Sequence, residues 1–516
     1  MRRIVIFFIV LVVLAVAAIV LVRSTLNAET LRVAAESKLT AVLGQPVHIG
    51  EIGMSLVPTP AATGSRITIG SSSGSPDLAL ERVRIVPRVQ SLFRGPYVIR
   101  DVILEGLVVR ITRDSNGGWR FPPVVPVGSG TGGDAGVIVE RVRLTRGRVR
   151  VFAIDAANGL LETSSLDGIE GEAVAAADGL RVAPLTGRIG ASPVSGTASV
   201  NPREAVLDFS MPSIAPDDLA AVIGLAAAEA PGFIRLAKPA AVKMSVRINR
   251  TDGRLTGSGS LGAPQVGFYS LQLSNLESPI STNGAQVTLD PATFALYSGT
   301  HRGKMVADLS RTPARWTSES AVRGIDVSDF LAALTGRDQR FDGTGSASAS
   351  LRAAVGAPMP RSLAGRLEIN VVNGIVRDFP LLAAINRALR LAEPSGRDTQ
   401  FERLSGTFTL TGSDSVGTTD LLMLARDMRV HAAGRIGFDR WLELEGLAVF
   451  SPERTSEAIR SVRELSVLRN ESGELELPIR IGGTLDNPSF GIDLEAAITR
   501  SIKEELRRRF RGLLRR

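Results

Sequence analysis

Strict alternation of apolar with polar or small residues runs through much of this chain. It is clearest near the C-terminus, in three segments around residues 407–411, 429–438 and 474–481. The apolar positions of these segments are Phe408, Leu410, Val430, Ala432, Gly434, Ile436, Phe438, Leu475, Leu477, Ile479 and Ile481. A period of two is the pattern of a β-strand with one apolar face. The sequence therefore predicts a mainly β protein with short helices.

A strand of this kind must hide its apolar side from water. Three arrangements remain open: packing on a second sheet, packing on helices, or lining a groove that holds an apolar molecule. A packed core is the commonest arrangement for any single strand.

The first apolar segment is of a different kind. Ile4 to Val22 is 19 residues long without a charge, which is about 28 Å of helix and close to the hydrocarbon thickness of a bilayer. Arg2 and Arg3 precede it, so the positive-inside rule places the N-terminus in the cytoplasm and the body across the membrane. We expect a single uncleaved transmembrane helix. A cleaved signal peptide is the main alternative, although the apolar run exceeds the usual length and lacks a good cleavage site.

The remaining chain divides by composition. Residues 1–27 are predicted to form a short cytoplasmic segment and the transmembrane anchor. Residues 28–121 are predicted to form a stalk helix and an N-terminal β module, and Gly44 is suited to end that helix. Residues 122–136 are rich in Gly and Pro and read as a linker. Residues 137–494 form a β-rich body, and residues 495–516 a basic amphipathic helix.

Two internal similarities suggest that the body is built by adding strand units. Residues 102–110 resemble residues 142–150, with one residue inserted before the glycine. Three segments that begin at Ile214, Ile325 and Ile375 each end a strand and open a short helix. Asp217, Ser328 or Asp378 are the expected caps of these helices.

The C-terminal helix carries eight basic and three acidic side chains, and so supplies most of the net charge of +8. Two interpretations stay open: a helix that closes the end of the sheet, or contact with anionic lipid headgroups. For the second, the candidate headgroup contacts are Lys503, Arg507, Arg508 and Arg511.

The residues offer no catalytic chemistry. There are no cysteines and only three histidines, which argues against thiol nucleophiles and His-rich metal sites. Two matches to GxGxxG lack the strand–turn–helix context that a phosphate site needs. We therefore expect no enzyme activity, no cofactor and no metal. We also expect no nucleic-acid partner, because the body is nearly neutral and is predicted to be exported.

Several stretches together resemble the AsmA family. They lie in the family's order along nearly the whole chain, and the segment from about Gly168 to Ala321 matches least. The matching stretches are Leu43–Ile49, Ile52–Leu56, Val98–Gly106, Asn116–Phe121, Phe341–Gly345, Asn373–Val376 and Ile481–Phe490.

This resemblance implies a protein anchored in the inner membrane of Gram-negative bacteria, with a periplasmic body. It also implies an elongated antiparallel sheet that curls into a β-groove, and a role in outer-membrane biogenesis through binding or conducting phospholipid. The candidate groove lining is then Phe408, Leu410, Val430, Ile436, Phe438, Leu477, Ile479 and Ile481. The alternative function is a non-enzymatic scaffold or regulator of outer-membrane protein assembly or targeting, which contacts an envelope protein partner.

Overall fold

The structure is a computed structural model that describes most of the chain between residues 28 and 499. The described residues are 28–55, 59–70, 76–92, 98–113, 119–120, 138–154, 159–176, 179–201, 203–224, 234–249, 254–284, 286–308, 314–336, 340–354, 362–391, 397–492, 494 and 498–499.

Within these residues the protein is mainly β, with twenty-five strands, five short α-helices and three 3-10 helices. The first thirteen strands are β1 Val47–Ser55, β2 Ala61–Ile69, β3 Leu78–Pro87, β4 Val98–Arg113, β5 Trp119–Arg120, β6 Ile138–Ile154, β7 Leu160–Ala176, β8 Gly179–Ile189, β9 Ser192–Val200, β10 Glu204–Ile214, β11 Ile234–Leu236, β12 Ala240–Asn249 and β13 Leu255–Phe268. The other strands are β14 Leu271–Thr282, β15 Gln286–Leu296, β16 Gly299–Asp308, β17 Arg315–Asp326, β18 Phe341–Ala354, β19 Ala364–Val376, β20 Thr399–Thr411, β21 Ser415–Ala425, β22 Met428–Gly437, β23 Leu442–Phe450, β24 Leu475–Gly483 and β25 Pro488–Gly491.

The helices are short and lie between strands or before the first one. The α-helices are α1 Ala28–Leu43, α2 Leu219–Gly224, α3 Val327–Thr335, α4 Leu381–Ala388 and α5 Pro452–Ser461. The 3-10 helices are Val89–Leu92, Pro216–Asp218 and Arg463–Leu468. The predicted class, mainly β with short helices, is confirmed.

Strands that follow one another along the chain mostly pair antiparallel, whereas β4 and β6 pair in parallel. The two similar segments found in the sequence lie side by side in this parallel pair, with Val102 opposite Val142 and Leu104 opposite Leu144. Gly106 and Arg146 both have positive φ, of 65° and 54°. The offset between paired residues is the same before and after this point, from Glu105 with Thr145 to Val108 with Arg148, so the insertion expected before Gly147 is absent. Arg146 takes the left-handed conformation that glycine takes at position 106.

The chain forms two compact units. Unit 1 comprises Met1–Pro264, Glu277–Thr288 and Asp308–Thr312, and unit 2 comprises Gln265–Leu276, Leu289–Ala307 and Pro313–Arg516. The division between them falls inside the segment 137–494 that the composition assigns to one body.

Unit 1 has its core beneath α1. Ala35 and Leu39 of this helix are each 2% exposed and pack in one cluster with buried residues of β1, β2, β3, β4, β6 and β7. Gly44 ends the helix at a φ of 61°, and its amide donates to the Thr40 carbonyl oxygen at 2.9 Å. The predicted helix and its glycine cap are confirmed, and the helix packs on the sheet.

Unit 2 has its core where α4, α5 and the 3-10 helix Arg463–Leu468 meet the sheet. The cluster there contains residues of these helices and of β19 to β24, and several of them are completely buried. Burial of apolar surface on this scale supplies the main favourable term in folding.

The three predicted strand-to-helix transitions are present after β10, β17 and β19, but the predicted caps are wrong. The carboxylate of Asp326, not Ser328, accepts from the Asp329 amide at the start of α3. Pro380 precedes α4 and makes no side-chain cap. After β10, Ala215 and not Asp217 precedes the 3-10 helix Pro216–Asp218, and no side chain caps this helix. The carboxylate of Asp218 accepts from the amides of Ala191 and Ser192 in the β8–β9 turn.

Three predicted segments lie outside the described residues: the anchor 4–22, the linker 122–136 and most of the C-terminal helix. Among the helices of the described part of the chain, none combines the length and apolar character needed to cross a membrane.

Candidate functional site

An unbroken row of apolar or small residues crosses ten strands of unit 1. Each member of the row is the cross-strand partner of the next. In spatial order the row is Ala62, Ile85, Val102, Val142, Ala173, Val182, Ala198, Leu207, Val246 and Gly257. These residues therefore share one face of the sheet.

The burial of this face changes along the row. Its first five members are buried, with Ile85 and Val102 only 1% and 0% exposed beneath the core of α1. From Val182 onward every member is half-buried. Beyond β7 the face thus stays apolar and is accessible in part, which is the unusual property of this molecule.

A second row runs beside the first; it is buried over its first three members and half-buried from Leu144 onward. Its members are Gly64, Val83, Leu104, Leu144, Gly171, Leu185, Gly196, Phe209, Met244 and Gly259. Phe209 and Met244 are half-buried, so two large side chains of this face are accessible in part. We call the half-buried apolar positions of this face on β8, β9, β10, β12 and β13 the open face.

The opposite side of the same strands is polar. Lys243, Arg247, Thr256, Ser258 and Ser260 alternate with the residues of the open face and are exposed. The strands are therefore two-faced, and within the described part of the chain α1 covers only the start of the row.

Two glycines of the second row sit where neighbouring strands approach closely. A Cβ atom at Gly196 would lie 2.1 Å from the Asp208 carbonyl oxygen, and one at Gly259 would lie 1.9 Å from that of Lys243. Only glycine fits such contacts, so these positions let the strands close up opposite Phe209 and Met244.

Sequence reasoning missed the open face. It falls inside residues 168–321, where the family resemblance is weakest, although the signal was present in the residues 242–249. Val242, Met244, Val246 and Ile248 alternate there with Lys243, Ser245, Arg247 and Asn249.

In unit 2 the structure brings seven of the eight predicted lining residues onto one face. Cross-strand pairs connect them through β19 to β24, for example Ile436 with Leu442, Leu444 with Ile481, and Leu477 with Ala448. The seven residues are Phe408, Leu410, Val430, Ile436, Leu477, Ile479 and Ile481. Phe438 is separate, because β22 ends at Gly437 and Phe438 lies 41% exposed in the turn that follows.

Most of these seven residues are buried. Val430, Leu477, Ile479 and Ile481 are 4%, 0%, 3% and 7% exposed and belong to the cluster that the helices of unit 2 complete. Phe408 and Leu410 are buried as well, and Ile436 is half-buried. Their role as a lining stays a prediction.

His301 of β16 is a buried polar residue of unit 2. Its ring stacks on Phe294 with centroids 4.0 Å apart, and its Nδ1 donates to the Ala292 carbonyl oxygen at 3.2 Å. Nε2 is buried without a hydrogen-bond partner among the described residues. Burial lowers the pKa of this imidazole, because a charged ring would lose its hydration.

Many charged side chains of the described residues form ion pairs, and none of these pairs belongs to a cluster of three potential metal ligands. Arg150 donates to Glu162 from Nε at 3.0 Å and thereby lowers the pKa of that carboxyl. Asp101 accepts from Arg100 at 2.9 Å and from Arg143 at 3.4 Å. Within the described part of the chain, His, Asp and Glu side chains form no group of three able to hold a metal ion.

The predicted headgroup contacts Lys503, Arg507, Arg508 and Arg511 lie outside the described residues. The start of their segment is described: Leu494 and Ile498 pack against the core cluster of unit 2. Both interpretations of the C-terminal helix, closing the end of the sheet and contact with headgroups, stay predictions.

A mainly β protein, with an apolar sheet face in each of its two units and short helices inserted between strands, is the class that this fold defines. The family model for the AsmA family matches residues 1–127 and 260–413, more than half of the chain. The chain therefore belongs to the AsmA family, as its resemblance predicts. A search of curated proteins found no match.

Proposed function

We propose that this protein is a non-enzymatic lipid-handling protein of the bacterial envelope, and that acyl chains of phospholipid lie on its open face. The observation that carries the proposal is the ten-strand row, which stays apolar where its cover ends at β7. Membership of the AsmA family is consistent with such a role. The anchor at residues 4–22 would hold the body on the periplasmic side of the inner membrane.

The open face suits a hydrocarbon chain in size and in chemistry. Its five strands span about 19 Å at about 4.8 Å per strand, which exceeds the depth of one bilayer leaflet, about 15 Å. Each methylene group that leaves water on this face contributes about 0.8 kcal/mol. No reaction has to occur, so the absence of catalytic motifs is expected of a carrier.

The first prediction concerns lipid that stays bound during purification. We expect the full chain, extracted in mild detergent, to carry phospholipid that mass spectrometry detects. Val246→Glu and Leu207→Glu should each remove at least nine-tenths of it, because a carboxylate on this face cannot be solvated beside an acyl chain.

Ser258→Glu is the matched control, since Ser258 lies exposed on the opposite side of the same sheet. It should leave the bound lipid unchanged. A wild-type chain free of lipid that instead crosslinks to one stable envelope protein would favour the scaffold function over the carrier function.

A further inference from the structure

The apolar face of unit 2 differs from the open face of unit 1 because three segments cover it. They are α4, the segment made of α5 and the 3-10 helix Arg463–Leu468, and the C-terminal residues Phe490, Ile492, Leu494 and Ile498. We call these three segments together the cover.

The helix α4 contributes the deepest contacts of the cover. Leu381, Ile385 and Leu389 are 2%, 0% and 0% exposed and belong to one cluster with residues of β19 to β24. The strand residues beneath the cover are equally buried: Ala448, Leu475 and Leu477 are all 0% exposed.

The segment of α5 is tied to the sheet and to α4 by polar contacts. The Thr455 hydroxyl oxygen accepts from the Leu475 amide at 2.8 Å, and Leu465 is completely buried in the cluster. Arg454 donates to the Asn386 side chain of α4 at 3.5 Å.

The C-terminal residues complete the cover. The ring of Phe490 meets that of Phe379 edge-on with centroids 5.1 Å apart, just before α4 begins. Ile492, Leu494 and Ile498 pack against the same cluster. The side chains of the cover therefore occupy the positions that an acyl chain would take on this face.

We infer that the cover blocks phospholipid from binding to β20 to β24 for as long as α4 and α5 stay docked. This inference rests on the proposed function and specifies the extent of the lipid-binding surface. Lipid occupies the open face of unit 1 and does not bind to the last strands of unit 2. The covered strands carry the same apolar alternation as the open ones, so the cover, not the strand sequence, makes the difference.

The experiment places a photo-reactive phenylalanine analogue at single positions in the full chain, in native membranes. Leu207 and Val246 report on the open face, and Leu404 and Leu421 on the covered face; all four are half-buried. After irradiation, phospholipid adducts are counted by mass spectrometry. We expect adducts at Leu207 and Val246, and less than a tenth of that yield at Leu404 and Leu421.

Equal adduct yields at all four positions would overturn the inference that the cover blocks phospholipid, while supporting the proposed function. Adducts at none of them would contradict the proposed function itself, so the two failures are distinct.

A second variant removes the cover. Ile385→Asp places a charge in the completely buried centre of α4, and we expect the adduct yield at Leu421 to rise at least fivefold. Arg387→Asp, on the exposed side of the same helix, is the matched control and should change nothing. Retained adducts at Val246 show that unit 1 is still folded. Faster hydrogen exchange of α4 without any rise at Leu421 would overturn the inference.

Discussion

Among single residues, His301 has the clearest dependence on pH. Its pKa is lowered by burial, from an ordinary value of about 6.5. As the pH falls, the unfolded chain therefore takes up a proton before the folded chain does. The stabilisation is fully present above about pH 6.5 and is lost progressively below it.

The second prediction follows from this titration. Between pH 7.5 and 5.5 the free energy of local opening of β15 to β17 should fall, by up to about 1.4 kcal/mol per pH unit within the titration range. Hydrogen exchange of the full chain, corrected for the intrinsic pH dependence of exchange, measures it. In His301→Gln the fall should be smaller, whereas His431→Gln, which changes an exposed histidine, should behave like the wild type. Identical pH profiles for wild type and His301→Gln would refute the assignment.

Gly259 has a specific steric role between two strands. A Cβ atom there would lie 1.9 Å from the Lys243 carbonyl oxygen, so the third prediction is that Gly259→Ala forces β12 and β13 apart. Overpacking of this kind costs about 1–3 kcal/mol, measured as the free energy of unfolding of the full chain. Gly262→Ala on the same strand is the control, because nothing lies within 4 Å of its Cβ position. Equal effects of the two substitutions would show that the close approach is unimportant.

At the scale of elements, α1 is held to the sheet by side chains that take the place of a neighbouring strand. Glu36 accepts from the Ile49 amide at 2.7 Å and from Arg32 at 2.9 Å, and the Thr40 hydroxyl accepts from the Val47 amide at 3.1 Å. The amides at the start of β1 are thereby satisfied without another strand.

The fourth prediction is that Glu36→Ala loosens the start of β1. An amide left without its acceptor costs about 1–3 kcal/mol when fully buried and less at this partly accessible site. The hydrogen exchange rate of the Ile49 amide should rise at least threefold. Hydrogen exchange mass spectrometry with fragmentation to single residues measures it. Glu29→Ala removes an exposed carboxylate that pairs with Arg32 and is not bonded to β1 among the described residues, so it should leave that amide unaffected. Unchanged exchange in Glu36→Ala would mean that the hydrogen bond does not protect β1.

The sequence predicts the elements better than it predicts their contacts. Alternation located β22 and β24 because a period of two is a local property of the chain. It did not locate the turn at Phe438, because no glycine or proline follows Gly437 until well into the next strand. The caps were missed for a similar reason: Asp326 and Ser328 are both good capping residues, and only the exact start of α3 separates them.

The candidate site was harder to predict than the fold. Val246 and Leu477 carry the same alternating pattern, yet one is half-buried and the other completely buried. The difference depends on whether α4 and α5 dock above the strand. Docking brings together residues far apart in the sequence, such as Ile385 and Leu477, which no local pattern reports.

At the scale of the molecule, the open and covered faces should respond differently to the loss of ligand. The fifth prediction is that removal of bound phospholipid speeds hydrogen exchange in β8 to β13, because ligand bound only to the folded state protects the backbone that it contacts. Exchange in β22 to β24 should stay constant, since α4 and α5 bury that face with or without lipid. A uniform change over both regions would point to a general loss of stability and contradict separate roles for the two faces.

The change of burial along the row from Ala62 to Gly257 also has an evolutionary consequence. Val102 is 0% exposed among close neighbours, so a larger or smaller side chain there leaves strain or a cavity. Val246, in the same row, has solvent or ligand on one side and can exchange with Leu, Ile or Met at little cost. Homologous chains should therefore keep side-chain volume constant at the start of the row and keep only apolar character at its end.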